Sequence, residues 1–229
     1  MGKRYGQPCG LAAALDKVGD RWVLLIVREL LTGPKRFTDL KRVLAGMASN
    51  LLTSRLRDLE NDGLVVREPG ALGPAAYRLT PRGRALEEPI RALWRWGASA
   101  GVTAEKQPVA GRPHWLLVAI PAALGDDAPE SLHVDAGLEV DGFTLALRVR
   151  DGRIELRPDA LVPPEAFRMK TDYRSFMAFL TGAVSLKALE AAGKARIDGP
   201  KLARARFETL VALGCMAAGS VRPQVLAEP

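Results

Sequence analysis

The stretch that decides the fold runs from Lys35 to Thr80 and reads KRFTDLKRVLAGMASNLLTSRLRDLENDGLVVREPGALGPAAYRLT. It contains, in order, a short amphipathic pattern, a glycine turn, a second amphipathic pattern and two strand-like runs around a Gly/Pro loop. That order predicts a winged helix-turn-helix, in which the second helix enters the DNA major groove and the hairpin lies along the adjacent backbone. The N-terminal half is therefore predicted to read DNA.

The predicted second helix separates apolar from polar side chains. Its buried side is formed by leucines at helical spacing, namely Leu51, Leu52, Leu56, Leu59 and Leu64. Ser49 is predicted to cap the helix N-terminus, which then points its partial positive charge at phosphate, and Gly63 is predicted to end the helix. The preceding helix, from about Phe37 to Leu44, buries Phe37, Leu40, Val43 and Leu44, and Gly46 supplies the turn.

Two strands are predicted after Gly63, from Leu64 to Arg67 and from Tyr77 to Leu79, around a loop with Gly70, Gly73 and Pro74. The predicted DNA contacts come from both helices and from this wing: Lys35, Arg36, Thr38, Ser49, Asn50, Thr53, Ser54, Arg55, Arg57, Arg67 and Arg78. Each arginine taken alone is equally well explained as a solvated surface charge. The prediction depends on the order in which the two helices, the turn and the two strands follow one another.

The net charge gives an independent test, because a DNA-binding protein needs a basic face. Residues 1–100 contain 17 Lys/Arg and 10 Asp/Glu, a balance of +7, whereas residues 101–229 contain 16 of each. The formal charge of the chain thus lies in the half that contains the predicted helix-turn-helix. Charge alone would also fit RNA or an anionic membrane surface.

Three segments, PCGLAAALDKVGDRWVLLIVRELLTGPKRFTDL, LLTSRLRDLENDGLV and AAYRLTPRGRALEEPIRALWRWG, closely resemble the HxlR-type family of bacterial winged-helix regulators. The resemblance covers about residues 8 to 98, including GDRW at Gly19 to Trp22 and YRLT at Tyr77 to Thr80. It implies a homodimeric transcription factor that binds double-stranded DNA. In such a dimer the N-terminal and last helices pair across a twofold axis and place two recognition helices on successive major-groove turns.

The helix expected after Pro81 supports a dimer on independent grounds. Leu86, Ile90, Leu93, Trp94 and Trp96 give it more apolar surface than a small winged-helix body can cover. Aromatic residues are enriched at interfaces, so a subunit contact is one fate of this helix. Packing on the C-terminal domain of the same chain is the other, and the two are compatible.

Cys9 lies at a position where members of the resembled family can carry a cysteine that reports oxidants or electrophiles. Lys3, Arg4 and Lys17 are close in sequence and would favour a thiolate. A free cysteine is also commonly a small buried hydrophobe. Only Cys9 and Cys215 are present, far apart in sequence, so neither a disulfide framework nor a metal-ligand spacing is predicted.

Residues 1–100 are predicted to form the winged-helix and dimerisation domain, residues 101–112 a linker, and residues 113–229 a second domain. In the second domain, apolar residues from Trp115 to Ile120 suggest a strand. Further strands are predicted at 132–135, 138–140, 143–150 and 153–157, with hairpin turns at the Asp-Gly pairs Asp141-Gly142 and Asp151-Gly152. Helical patterns begin at Asp172. The fold class expected is α+β, with a mainly antiparallel sheet in the second domain.

The order LRVRDGRIELRPDA, DYRSFMAFLTG, AVSLKALEAAGKARIDG and a closing amphipathic helix resembles the sterol carrier protein fold over about residues 132 to 213. The segment before Leu132 departs from it, because the helices usual there are not predicted. The resemblance implies an apolar tunnel for a hydrophobic small-molecule effector, lined by Phe143, Leu145, Leu147, Ile154, Leu156, Phe176, Phe179, Leu180, Leu189 and Phe207. A solid domain used for dimerisation or partner contact would have the same composition.

Catalysis is not predicted. His114 and His133 have no nucleophile motif, zincin motif or carboxylate cluster to work with, and neither a phosphate loop nor a dinucleotide fingerprint occurs, so no cofactor or metal is expected. No apolar run approaches the ~18 residues that span a bilayer. The N-terminal residues MGKRYGQPC lack the apolar core of a signal peptide. A cytoplasmic protein without membrane partners is therefore expected.

Overall fold

The computed structural model describes residues 5–70, 73–99, 111–125 and 127–217 of the chain. The chain divides into two compact units, one up to Ile90 and the other from Arg91 onward. This division falls inside the helix Glu87–Ser99. Residues 100–110, which make up most of the predicted linker, lie outside the described part of the chain.

Helices of the N-terminal unit surround a small antiparallel sheet. The helices are α1 (Gly10–Val18), α2 (Val23–Leu31), α3 (Phe37–Val43), α4 (Ser49–Asn61), α5 (Pro81–Arg84) and α6 (Glu87–Ser99), the last of which continues into the C-terminal unit. The strands are β1 (Lys35–Arg36), β2 (Val65–Gly70) and β3 (Gly73–Leu79), in the order β1-β3-β2. The predicted helix pair followed by a hairpin is confirmed, and β1 is an additional strand that the sequence did not indicate.

Local sequence explains where α4 ends and α5 begins. Gly63 has a φ of +67°, and the amides of Gly63 and Leu64 donate to the carbonyls of Glu60 and Leu59 at 3.0 and 2.9 Å. This pair of bonds satisfies carbonyls at the end of α4, and only glycine adopts the required conformation without strain. At the start of α5, the Thr80 hydroxyl accepts the Gly83 amide at 3.1 Å, and Pro81 occupies the first helical position.

The C-terminal unit places helices against one face of a five-stranded sheet. After a 3₁₀ turn at Pro113–Trp115, its elements are α7 (Leu116–Leu124), β4 (Val134–Val140), β5 (Phe143–Arg150), β6 (Arg153–Pro158), β7 (Phe167–Thr171), α8 (Tyr173–Leu180), α9 (Leu186–Ala191), β8 (Ala195–Asp198) and α10 (Lys201–Ala217). The strand order is β6-β5-β4-β7-β8. Strands β4 and β7 are parallel and the other neighbours antiparallel, so the sheet is mixed.

The strand predicted at Trp115 to Ile120 is wrong, because this segment contains the last residue of the 3₁₀ turn and the first five residues of α7. Seven of the nine residues of α7 are buried. A helix buried on nearly every side shows no 3.6-residue period, so an unbroken apolar run does not distinguish it from a buried strand. The expectation that helices are missing before Leu132 fails for the same reason.

The two short strands predicted at 132–135 and 138–140 are one strand, β4. Gly137 lies in its middle, and a Cβ there would come within 2.9 Å of Val162. The glycine marks a close approach within a strand rather than a break. Both Asp-Gly turns are confirmed as hairpins, with positive φ at Asp141, Gly142, Asp151 and Gly152. Strand β7 was not predicted.

Candidate nucleic-acid interface

Helix α4 presents a polar face opposite the leucines that hold it. Leu52, Leu56 and Leu59 are buried in the core of the N-terminal unit. Thr53, Ser54 and Arg57 are exposed. Arg57 makes no ion pair or hydrogen bond with the described residues. The helix is thus held by one face and presents two hydroxyl side chains and the Arg57 guanidinium on the other.

The N-terminus of α4 corrects the prediction for Ser49. The residue at the N-cap position is Ala48, and its side chain makes no capping bond. Ser49 is the first helical residue, and its carbonyl accepts the Thr53 hydroxyl at 2.9 Å. The Asn50 side chain accepts the amide of Leu51 at 2.8 Å. Ser49 and Asn50 are the first two residues of α4, so both lie at the positive end of the helix dipole. Both side chains are exposed, and Ser49 does not act as the cap.

Arg55 is held inside the unit rather than projecting freely. Its two terminal nitrogens bind Asp20 Oδ2 at 3.0 Å and Asp58 Oδ2 at 3.1 Å. These bonds, first the one to Asp20, raise the pKa of the guanidinium. Burial opposes ionisation of Asp20, but hydrogen bonds from the Trp22 amide and from Arg55 outweigh it and lower the Asp20 pKa. The sequence prediction missed this role for Arg55 because Asp20 lies 35 residues away.

The wing presents two arginines in different states. Arg67 is exposed and makes no ion pair with the described residues. Arg78 is paired with Glu68 on the neighbouring strand, with its Nε 3.1 Å from Glu68 Oε1. The hydrogen bond from Arg78 lowers the pKa of Glu68. Arg67 is therefore available for a phosphate as it stands, whereas Arg78 must first release Glu68.

The remaining predicted contacts lie on β1 and α3. Lys35 and Arg36 pair with Tyr77 and Ala76 of β3, which fixes this basic dipeptide to the sheet that forms the wing. Thr38 is exposed in the first turn of α3. Phe37 and Val43 were predicted to be buried beside Leu40 and Leu44, but both are only half-buried. The predicted contacts are thus distributed over β1, α3, α4 and the wing.

Two helices expose apolar side chains. On α1 only Ala12 and Val18 are buried, and Leu11 has 68% of its surface exposed. Leu15, one turn further along, is also exposed. On α6, Trp94 packs against the core of the C-terminal unit, whereas Leu93 and Trp96 are exposed, Trp96 to 73%. Packing on the C-terminal domain therefore accounts for Trp94, whereas the side chains of Leu93 and Trp96 are largely exposed.

Cys9 is exposed and occupies the N-cap position of α1. The backbone amides of Ala12 and Leu11, at the start of α1, lower the pKa of its thiol. Of the basic residues predicted to have this effect, Lys3 and Arg4 lie outside the described residues, and Lys17 is paired with Asp62. Cys215 is buried, and burial raises the pKa of its thiol.

Most of the predicted effector-lining residues are packed together. Seven of them are buried in the core between the sheet and the helices: Leu145, Leu147, Phe176, Phe179, Leu180, Leu189 and Phe207. Phe143, Ile154 and Leu156 are partly buried against it. The ring of Phe207 stacks on Phe167 at 4.5 Å and on Phe179 at 5.9 Å between centroids. In this state the aromatic side chains fill the space between them.

Two further findings concern the described residues alone. They contain no group of three or more His, Cys, Asp or Glu side chains placed to hold a metal ion. None of the described helices is long and apolar enough to cross a membrane.

The geometry of α3, α4 and the β2–β3 hairpin defines a winged helix-turn-helix protein. The HxlR-like helix-turn-helix family matches residues 17–105. An uncharacterised HTH-type transcriptional regulator, Rv3095 of Mycobacterium tuberculosis, is 43% identical over 103 residues, which are 44% of this chain and 65% of the relative. The uncharacterised HTH-type transcriptional regulator YybR of Bacillus subtilis is 34% identical over 93 residues, which are 40% of this chain and 74% of YybR.

The chain therefore belongs to the HxlR family of HTH-type transcriptional regulators. This family is one of regulators rather than enzymes. Among solved structures, the redox regulator HypR in its oxidised form aligns with a TM-score of 0.38 and 34% identity, over 40% of this chain and 96% of that one. The chain spans 65% of the length of the mycobacterial relatives. The family match ends at residue 105 and leaves the C-terminal domain unassigned.

Proposed function

We propose that the protein is a homodimeric regulator in which α4 reads the DNA major groove and the wing contacts the adjacent backbone. The observation that carries the proposal is the free polar face of α4, where Thr53, Ser54 and Arg57 stand opposite a fully buried leucine stripe. A recognition helix needs both features, because it must be rigidly held and still present donors to base edges.

Within this interface the side chains divide by chemistry. Asn50, Thr53, Ser54 and Arg57 lie on α4 and are assigned to base edges. Lys35, Arg36, Thr38, Ser49, Arg67 and Arg78 lie at the helix start, on α3 or near the wing and are assigned to phosphates. Phosphate contacts supply affinity and register, whereas base contacts supply sequence preference. Arg55 is assigned an indirect part, because its guanidinium already has two carboxylate partners.

Homodimer formation through α1 follows from its poor coverage within one chain. A nine-residue helix that buries only Ala12 and Val18 gains little stability from its own unit. Leu11 and Leu15 are four residues apart and form one apolar ridge, which a second copy of α1 would cover. The resemblance-based expectation of a twofold axis at this helix agrees with that ridge.

Selection of duplexes from a random-sequence pool tests the proposal and requires no operator to be chosen beforehand. The unmodified protein is expected to enrich a two-part palindrome with half-site centres about 10 bp apart or a multiple of it, which is the distance of one helical turn. The variant Arg57→Ala should enrich a weaker motif that is degenerate at the base this residue reads. Failure of the unmodified protein to enrich any motif would contradict sequence-specific binding.

For the C-terminal unit we propose an apolar small-molecule effector held between the sheet and the helices. The support is composition: among the described buried residues of that unit, only Thr171 and Ser175 are polar. Entry requires the stacked rings of Phe179 and Phe207 to separate. Native mass spectrometry of protein purified from its own host tests this, since a lipid-sized mass should be retained by the protein and diminished in Phe179→Trp. A ligand-free spectrum for both proteins would favour a solid domain.

A second regulatory input, oxidation or alkylation of Cys9, is favoured by a specific observation. The thiol is exposed at the N-terminus of α1, and two backbone amides lower its pKa. Since the thiolate is the reactive form, this position favours reaction with oxidants. Treatment with the thiol oxidant diamide should change affinity for a selected duplex in the unmodified protein and leave Cys9→Ser unaffected. An equal response of both proteins would show that Cys9 is not the residue through which diamide acts.

A further inference from the structure

Two ion pairs connect α1 to the recognition helix. Lys17, in the last turn of α1, pairs with Asp62 at the C-terminal end of α4. Asp20, two residues after α1, pairs with Arg55 in the middle of α4 at 3.0 Å. The residues of these pairs are 45 and 35 positions apart in sequence. Both contacts therefore join separate elements rather than neighbouring turns of one helix.

Hydrogen bonds order the segment that carries Asp20. The Gly19 amide donates to the Leu15 carbonyl at 2.9 Å, so the last turn of α1 continues up to the residue before Asp20. Asp20 Oδ1 accepts the Trp22 amide at 2.9 Å, and the Arg21 guanidinium lies 5.5 Å from the centre of the Trp22 ring. The Asp20 carboxylate is thereby oriented by its own loop, with the other oxygen directed at Arg55.

Apolar packing contributes little to the position of α1, because only Ala12 and Val18 are buried. The two ion pairs therefore add direct contacts between α4 and the segment formed by α1 and Asp20. In the proposed dimer the exposed face of α1 is covered by the other copy. A movement of α1 at the interface then reaches α4 through carboxylate–cation contacts at two points along the recognition helix.

We propose that the Lys17–Asp62 and Asp20–Arg55 ion pairs set the angle between α1 and α4, and thereby the half-site spacing that a dimer accepts. This inference rests on the proposed DNA-binding function. It makes Arg55 a positioning residue, acting through Asp20, rather than a direct contact to DNA. Partly exposed ion pairs are weakened by salt, so spacing selectivity is expected to relax as ionic strength rises.

The test compares the unmodified protein with the double variant Lys17→Gln/Asp20→Asn. These changes remove one charge from each pair, and the amide introduced by Asp20→Asn retains the oxygen that accepts the Trp22 N–H. The control, Glu190→Gln, removes a partner of Arg204 in the C-terminal unit, where the two side chains are 2.6 Å apart. Two properties are measured: hydrogen exchange of the α1 amides, without DNA, and the half-site spacings enriched from a random duplex pool.

The double variant is expected to exchange the α1 amides several-fold faster and to enrich neighbouring spacings that the unmodified protein rejects, while Glu190→Gln changes neither property. Unchanged exchange together with a single retained spacing would overturn the inference. If the unmodified protein enriches no duplex, the proposed function fails, and α1 exchange alone still decides whether the ion pairs hold α1.

The single variant Asp20→Asn separates positioning from direct contact by Arg55. Asp20→Asn removes one of the two carboxylate partners of Arg55 and leaves Asp58 in place, so affinity for a selected duplex should fall if Arg55 acts through Asp20. The affinity should stay unchanged or increase if Arg55 binds DNA itself, and that result would overturn the positioning role.

Discussion

Two exposed arginines of the candidate DNA interface differ from the charges on the outer face of the C-terminal sheet. In the N-terminal unit, Arg57 on α4 and Arg67 on the wing are exposed without a carboxylate partner among the described residues. On the outer face of the C-terminal sheet, charges stand in pairs, such as Arg157 with Glu155 at 2.9 Å and Arg196 with Asp198 at 3.3 Å. Free cations attract a polyanion, whereas paired charges mainly keep a surface hydrated.

The two units also differ in how far their apolar side chains are exposed. The N-terminal unit leaves Leu11 and Leu15 exposed on α1, which fits an interface with another protein surface. In the C-terminal unit the sheet and helices enclose the aromatic rings of Phe167, Phe176 and Phe207 almost completely. We infer that the N-terminal unit acts through its surface, and that any specific chemistry of the C-terminal unit lies in its interior.

The largest effect is expected from emptying that interior. Phe207→Ala removes a ring that stacks on Phe167 and Phe179, and truncation of a buried phenylalanine costs about 3–5 kcal/mol. Hydrogen exchange of the β5 amides as a function of denaturant concentration would measure the loss in the free energy of unfolding. Leu202→Ala on the same helix is the control, since its 62% exposed side chain should change stability by less than about 0.5 kcal/mol. A small effect for Phe207→Ala would indicate a loosely packed interior that admits a ligand more readily.

Disrupting the apolar ridge of α1 should have the next largest effect. Leu15→Glu places a charge on the proposed interface and should raise the dimer dissociation constant by at least roughly tenfold, about 1.4 kcal/mol. Sedimentation velocity over a concentration series measures it. Ala13 is also exposed on α1, so the variant Ala13→Glu tests how far the interface extends. A dimer of undiminished strength in Leu15→Glu would place the twofold contact elsewhere.

A smaller effect is expected at the wing. Arg67→Ala should weaken DNA binding several-fold, nearly independently of sequence, and should reduce the slope of log affinity against log salt by about 1, because one phosphate contact is lost. Fluorescence anisotropy at several salt concentrations gives both values. Arg196→Ala, on the outer face of the other sheet, is the matched control and should leave the slope unchanged. A slope unaltered in Arg67→Ala would remove the wing from the interface.

The smallest effect concerns pH. Amides at the start of α1 lower the pKa of Cys9, whereas burial raises that of Cys215. Because the thiolate is the nucleophile, alkylation of Cys9 by iodoacetamide should reach half its maximal rate at a lower pH than a free cysteine does. Mass spectrometry of the peptides separates the two sites. Cys215 should react only slowly in the folded protein, and a Cys9 profile at or above that of free cysteine would contradict the effect of the α1 amides on the Cys9 thiol.

Sequence predicts the N-terminal unit well because its signals are local. The leucine spacing in α4 and the glycine at position 63 each act within one turn of chain, and a helix was expected after Pro81. The pairing of Arg55 with Asp20 is different, since it depends on the tertiary approach of residues 35 positions apart. Ser49 was misplaced by one residue, a shift at helix ends that composition does not resolve.

In the C-terminal unit, sequence predicts hairpins from Asp-Gly pairs but not the elements buried on all sides. α7 lacks a polar face, and β7 lies between β4 and β8 in the interior of the sheet. Its parallel pairing with β4 joins segments separated by two other strands, which no local pattern specifies. The same limitation applies to the predicted tunnel, because a lined cavity and a filled core use the same residues.

The most direct test of the central claim, that the free face of α4 contacts DNA, is the affinity of the unmodified protein and of Arg57→Ala for a duplex selected by the unmodified protein, measured by anisotropy at one fixed salt concentration. Loss of a guanidinium that reads a base should cost about 1–3 kcal/mol, or roughly 5- to 150-fold, with a much smaller loss on an unrelated duplex. Equal affinity of the two proteins for the selected duplex would contradict the placement of α4 in the major groove.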